Sequence, residues 1–259
     1  AEYGNKISCI SIGQAGENLS CIAVVATNEG SASDQGGFGA VMGSKRLKAV
    51  VVQGSGKVDL AHRDEFLALT RAMNRELVQD MKNRSQSTSS RPSSYGARRQ
   101  RCSSGCVRPC AMHYEGVPGS LFPERTYSGI VQCTAGRFRG AEGHYWNLGF
   151  EAGFELNMLA NDWGINHWDL MKGLFPWIGM CHRAGLLDDI GGRPVELESE
   201  RFWYEVLEAI AMRSGPMAEV VADGGRRAIA RTGLLPDEAR QLYTGWGYAG
   251  HWDAHGDLS

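Results

Sequence analysis

At 259 residues, with 42% hydrophobic residues and a formal charge of −2, the chain can bury a sizeable core and shows no excess of positive charge that would mark a nucleic-acid-binding protein. No apolar run reaches the length of a bilayer span, and the first residues lack the basic and apolar regions of a secretory signal, so no membrane segment is expected. Seven cysteines are too few for a disulfide-dense secreted scaffold, which favours a reducing, cytoplasmic setting.

The chain opens without Met and enters strand-like sequence at once, so an internal piece of a longer polypeptide, cut at both ends, is expected. Up to about Gly56, short Val/Ile-rich runs (7–12, 21–26 and 49–52) alternate with glycine clusters, a β pattern punctuated by turns. Cys9 and Cys21 fall in these apolar runs and read as plain core. From Asp59 the period changes. Phe66, Leu69, Met73, Leu77 and Met81 recur at helical spacing, and helical sequence is expected to dominate from there on. Residues 85–101 hold six serines and several arginines with almost no large apolar residue. They read as a flexible surface connection, with a dock for an acidic partner or a nucleic-acid contact as the alternatives. The spacing then predicts helices over 145–160, over 168–183 with Pro176 kinking or starting it, over 200–213 capped by Ser199, and from Met217 to near Gly233. Residues 246–259 show no period.

Cys102, Cys106 and Cys110 are evenly spaced within nine residues. Three thiolates on one short loop suit a single soft metal centre better than a disulfide, which would leave one sulfur over. Two centres are open: an iron-sulfur cluster, or a zinc ion completed by His113 in a non-enzymatic zinc-binding or interaction module.

Three stretches carry a resemblance. Gly13-Gln-Ala-Gly-Glu-Asn-Leu19, Gly36-Gly-Phe-Gly-Ala-Val-Met-Gly-Ser-Lys45 and Leu47-Lys-Ala-Val50 resemble the end of the amino-terminal domain of the aldehyde ferredoxin oxidoreductases, a family of tungsten-pterin enzymes. The resemblance implies an α+β, mostly α-helical fold. A β-rich piece of the pterin-binding domain (1–57) would precede a helical domain (58–259) that bears the cysteine loop, with 84–101 as the flexible connection. It also implies that Glu17, Asn18, Gly36, Gly37 and Gly39 take part in holding the pterin and its phosphate, glycines allowing backbone N–H groups to approach an anion. Asn161-Asp-Trp-Gly-Ile-Asn166 is similar to the family's pterin-binding D-x-x-G-L-D box, so Asn161, Gly164 and Asn166 are implied contacts, with both acidic positions changed to amides. Residues 184–188 and 202–230 also resemble the family's helical part.

By the same resemblance, Cys102, Cys106 and Cys110 occupy the place of a C-x-x-C-x-x-x-C run that ligates a 4Fe-4S cluster, although the first gap here is one residue longer. A fourth ligand is expected beyond Ser259, with Cys133 and Cys181 as lesser substitutes. Ser31-Ala-Ser-Asp-Gln35 stands where relatives carry arginines. The implied cofactors are tungsten, or molybdenum, between two pyranopterins and the cluster. The implied reaction oxidises a small aldehyde to a carboxylic acid, passing electrons to ferredoxin or an electron-transfer subunit, with Glu142 and His144 as general acid/base by position. An aryl-CoA substrate, reduced as in the tungsten subunit of benzoyl-CoA reductases, is the alternative within the family, and Tyr145, Trp146, Trp163, Trp168, Phe175 and Trp177 supply aromatic surface for it. No nucleic-acid or membrane partner is expected, and a homo-oligomer is compatible.

Overall fold

The computed structural model describes residues 7–27, 32–33, 35–54, 56, 59–84, 94–100, 111–131 and 148–242. Strand β1 (Ser8–Ile12) lies between β2 (Val25–Thr27) and β3 (Ala49–Val52), antiparallel to both, with Ile10 opposite Thr27 on one side and Val50 on the other. Helix α1 (Gln14–Glu17) and helix α2 (Phe38–Ser44) fill the connections and pack on each other. The glycine cluster at 36–43, read as turns from sequence, therefore starts a short helix.

Helix α3 (Arg63–Arg84) follows, with Asp64 and Glu65 in its first turn, where they complement the helix dipole. Its predicted stripe is in place but uncovered, since Phe66, Leu69, Met73 and Leu77 are all exposed.

Helices dominate after Asp59, as expected, but a sheet not foreseen from the sequence lies among them. A second antiparallel sheet is built from β4 (Arg98–Gln100), β5 (Ala111–Pro118) and β6 (Thr126–Val131) in the order β4-β5-β6. The end of the serine-rich connection is thus turn and strand. A register shift between Tyr114 and Val117 explains why the second sheet is invisible to a period-of-two search. The buried positions of β5 fall at Ala111, Tyr114 and Val117, three apart.

The sheet packs on helix α4 (Phe150–Trp163), which begins five residues later than the sequence suggests and runs three residues further. Contact is close because β6 offers Gly129, where a Cβ would stand 2.4 Å from Met158 Sδ. Tyr114, Val117, Tyr127, Val131, Phe154, Met158 and Leu159 form this satellite core.

A π-helical segment (Asp169–Leu174) leads into α5 (Phe175–Arg183), so the predicted single helix over 168–183 changes its winding between Leu174 and Phe175, with Pro176 in the first turn of α5. A hairpin of β7 (Asp189–Ile190) and β8 (Arg193–Pro194) precedes α6 (Glu200–Met212). Ser199 caps α6 by accepting the Phe202 N–H, and Phe202, Val206 and Ile210 are fully buried as the stripe predicts. The helix expected from Met217 to Gly233 is two, α7 (Pro216–Val221) and α8 (Gly225–Thr232), broken at Gly224 with φ +83°. A 3₁₀ turn (Asp237–Leu242) closes the described chain.

The main core joins both parts of the chain. Ala15, Ile22 and Ala23 from the amino-terminal piece pack with Leu156, Leu174, Phe175, Trp177, Trp203 and Val206. The architecture is α+β and mostly helical.

Candidate cofactor site

Two glycines join the amino-terminal piece to the end of α4. Gly164 ends α4 in the left-handed conformation (φ +70°), which turns the chain so that Ile165 pairs with Ala23 across an antiparallel bridge. Val24 N–H then donates to Gly164 O at 2.8 Å, and Asn166 N–H donates to Ile22 O at 2.9 Å. Gly13 meets the same turn, because a Cβ there would lie 2.3 Å from the carbonyl carbon of Trp163. The first of the resembling stretches and the box at 161–166 are thus in backbone contact.

The remaining glycines divide by what surrounds them. Gly37 (φ +69°) and Gly39 face protein backbone, a Cβ on either coming within 2.6 Å of Cys21 O or Val24 O respectively. The Gly39 N–H is already used, donating to Ala23 O at 3.0 Å. Gly36 (φ +126°) is exposed, and the nearest atoms to a Cβ there belong to the Phe38 ring. Glu17 pairs with Lys48 at 2.9 Å on the surface, and Asn18 Nδ2 donates to Ala211 O at 2.7 Å, fastening α1 to the end of α6.

Around the turn lies a polar edge. Asn161 is exposed, and its Oδ1 lies 2.9 Å from His167 Nε2. Burial pushes His167 down to about 4, so the ring is neutral at pH 7 and, with the proton on Nε2, donates to Asn161. Asn166 is only 4% exposed, and its Oδ1 accepts the Asp169 N–H at 2.9 Å, capping the π-helical segment. Gln35 Nε2 reaches Asp169 Oδ1 at 3.1 Å and ties the loop before α2 to that segment. Burial raises the carboxyl of Asp162.

Sequence reasoning missed two features. Asn157, one helical turn before Asn161, is fully buried, and neither its Oδ1 nor its Nδ2 has a partner among the described residues. Its signal was available as a lone amide inside the apolar run 156–160. Asp223 clamps the 19–21 turn to the helical part. It accepts from Arg213, Arg231 and the Cys21 N–H, while Ser20 Oγ donates to Ala222 O at 2.6 Å. Burial alone would raise Asp223, but the two guanidinium groups and the Cys21 N–H outweigh it and hold the carboxyl at about 2.

Cys102, Cys106, Cys110, Cys133, Glu142, His144, Tyr145 and Trp146 lie outside the described residues. Among the described residues, no group of three His, Cys, Asp or Glu side chains could hold a metal. Reading Cys21 as plain core is corrected, because it sits exposed in a turn rather than on a strand, and Cys9 is half-buried. Cys181 is buried in the core, where desolvation pushes its thiol up to about 11. Phe175 and Trp177 belong to the core, Trp177 Nε1 donating to Leu234 O, and offer no surface to a substrate.

Residues 1–54 match the family model described as aldehyde ferredoxin oxidoreductase, N-terminal domain. A tungsten-containing aldehyde ferredoxin oxidoreductase from Pyrococcus abyssi is 44% identical over 80 residues, which is 30% of this chain and 13% of that protein. The protein of the same name from Thermococcus kodakarensis is 42% identical over 76 residues, 29% of this chain and 13% of the relative. The WOR-like subunit of an aliphatic sulfonate oxidoreductase from Pyrococcus furiosus is 42% identical over 69 residues, 26% of this chain and 11% of the relative. The matched stretches therefore span about an eighth of the length of these relatives. In structure, the chain is similar to one from the active site complex BamBC of benzoyl coenzyme A reductase in complex with 1,5 dienoyl-CoA. The TM-score is 0.65 at 19% identity, over 93% of this chain and 42% of that one, a likeness of fold alone. Over its amino-terminal residues, this chain is thus similar to the aldehyde ferredoxin oxidoreductase family, both in the matched domain model and in the relatives that share the stretch.

Proposed function

We propose that this chain forms part of the cofactor-binding wall of a tungsten-pterin oxidoreductase that oxidises aldehydes to carboxylic acids. The observation that carries this reading is the backbone junction of Gly13 with Trp163 and Gly164, which brings two separate family-like stretches to one place. Their union leaves a polar edge rather than a sealed core. The residues there fit a pterin in donor type. Asn161 presents an exposed amide, Gly36 leaves exposed backbone open to an anion, and Asn157 keeps an amide buried without a partner among the described residues.

In this reading Asn161 and Asn157 would hold ring edges, with Gly164 and Asn166 shaping the turn between them. Gly36 and Gly37 would lie near phosphate, and Gly39, Glu17 and Asn18 would set the backbone that supports them. His167 would orient Asn161, whose oxygen is already engaged, so that the amide N–H groups face the ligand. Cys102, Cys106 and Cys110 would ligate a 4Fe-4S cluster that passes electrons to ferredoxin or a partner subunit, and Glu142 and His144 would exchange protons with substrate. When bound, the tungsten-pterin supplies the two-electron redox chemistry. Protein groups bind it, orient the carbonyl substrate and exclude water.

The test is metal analysis of the whole protein purified without oxygen, with an electron paramagnetic resonance spectrum of the reduced sample. Tungsten together with about four irons per chain is expected. About one zinc with neither tungsten nor molybdenum would replace this reading with a structural-metal module.

A further inference from the structure

Asn166 has all but one of its polar groups committed inside the protein. Its backbone N–H donates to Ile22 O at 2.9 Å, its backbone carbonyl accepts the Leu170 N–H at 3.1 Å, and its Oδ1 accepts the Asp169 N–H at 2.9 Å. Because a backbone N–H can only donate, this last bond fixes which way the amide points. What remains is Nδ2, a pure donor. It has no partner among the described residues, and it is not closed off from water as the amide of Asn157 is. In a residue only 4% exposed, that NH2 is the group left to meet a ligand.

Asn161, at the other end of the same turn, is committed in the same sense. Its backbone carbonyl accepts the Gly164 N–H at 3.0 Å, and with the His167 proton on Nε2 its Oδ1 accepts at 2.9 Å, so its exposed NH2 also faces out. Both side chains therefore offer donors, whereas a carboxylate at either position would offer acceptors alone.

Charge decides which acceptors the turn can meet. Within 161–172 the charged side chains are Asp162, exposed in the turn itself, Asp169, whose Oδ1 accepts from Gln35 at 3.1 Å, and Lys172 on the π-helical segment. Two carboxylates against one ammonium leave this edge net negative, which repels a phosphate and favours an uncharged acceptor.

We propose that the 161–166 turn reads the uncharged acceptor edge of its ligand, a carbonyl oxygen and an unprotonated ring nitrogen of a heterocycle, through the NH2 groups of Asn166 and Asn161. This rests on the pterin reading and sharpens it. The turn meets the acceptor atoms of the pterin ring rather than its amino group or its phosphate, and the two amides reverse the polarity of an acidic box instead of weakening it.

The test uses the whole protein, made in a host that supplies tungsten and pterin, beside its Asn166→Asp and Asn161→Asp variants. The rate at which pterin leaves each on dialysis is read from the fluorescence of the released, oxidised pterin. Asn166→Asp can still accept the Asp169 N–H, so the melting midpoint of the cofactor-free protein should hold. Its pterin should nevertheless leave about tenfold faster or more, because a donor has been replaced by a charged acceptor. Asn161→Asp should move in the same direction.

Retention equal to wild type, or longer, in Asn166→Asp would overturn the inference while leaving the pterin reading intact. If the variants fail to fold, nitrogen-15 spectra of the wild-type side-chain amides decide: the Asn166 NH2 signal should shift between cofactor-free and loaded protein, and an unmoved signal would overturn it equally. Wild type that carries no pterin would end the pterin reading, and the inference with it.

Discussion

Gly13 and Gly164 touch backbone to backbone, a Cβ on Gly164 coming within 2.9 Å of the Gly13 nitrogen. The glycines at this junction are therefore required by the meeting of two chain segments, whatever they also do for a ligand. Gly13→Ala would drive its methyl into the Trp163 carbonyl, which cannot rotate away, and is expected to cost about 3 kcal/mol. Gly164→Ala adds the penalty of a left-handed residue with a side chain. Gly54→Ala, with nothing within 4 Å of the new atom, should stay within about 0.5 kcal/mol. Chemical denaturation of the three variants measures this, and equal effects at all three positions would contradict the contact.

Removing Asp223 unclamps the 19–21 turn. Asp223→Ala leaves Arg213, Arg231 and the Cys21 N–H without their shared acceptor. Both arginine side chains keep about a third of their surface in water, 32% and 38%, so the loss should be about 2 kcal/mol, below the 3–5 kcal/mol or so of a fully buried pair. Because the carboxyl is depressed on folding, its contribution is complete above the unfolded value of 3.8 and disappears as pH falls toward about 2. Acid unfolding of wild type should accordingly begin at lower pH than that of a protein with an unperturbed aspartate there.

His167 works in a milder window. A histidine lowered from 6.5 to about 4 by burial binds fewer protons folded than unfolded. Stability is therefore full above about pH 6.5 and is lost as pH falls toward 4. His167→Gln can still donate to Asn161 but does not titrate, so the difference between wild-type and variant melting midpoints should shrink or invert between pH 7 and pH 5. A constant difference would mean that the imidazole is solvated.

How much of this was legible beforehand depends on period and spacing. The α6 stripe and its Ser199 cap were plain because one helix face carries Phe202, Val206 and Ile210 while the cap precedes it directly. Sheet β4-β5-β6 was not, since its bulge sets buried residues three apart. Cys21 misled because an apolar run suggested a strand, yet the turn built by Ser20 and Asp223 lifts it into solvent. Spacing alone cannot tell whether a glycine faces a ligand or a backbone. Gly37 and Gly39 face backbone, whereas Gly36 is open. The Asp223 clamp joins residues 202 positions apart, a distance no local pattern reports.

Asn157 separates stability from binding. An amide with no partner costs about 1–3 kcal/mol in a buried position, so Asn157→Leu should stabilise the cofactor-free chain by roughly 1 kcal/mol after allowing for shape change. If the amide serves the pterin, the same substitution should lower the pterin and tungsten recovered per chain from protein made in a host that supplies them. Destabilisation of the cofactor-free chain would instead show that the amide has a partner within the protein.

Cys21 reports the clamp directly. Its thiol is exposed, yet partial burial and then the neighbouring Asp223 carboxylate raise it, against the opposing pull of Arg227 and Arg213. Thiolate is the reactive form, so alkylation by iodoacetamide at pH 8 should be slow but measurable at Cys21 and absent at Cys181, which is fully buried and raised to about 11. Asp223→Asn removes the carboxylate while the arginines remain, which favours the thiolate, and alkylation of Cys21 should speed up several-fold, a factor of ten corresponding to one pKa unit. Peptide mapping by mass spectrometry assigns the modified residue. Unchanged reactivity in Asp223→Asn, with Cys181 still protected, would mean that the carboxylate does not reach the thiol and that the turn is held by Ser20 and the backbone alone.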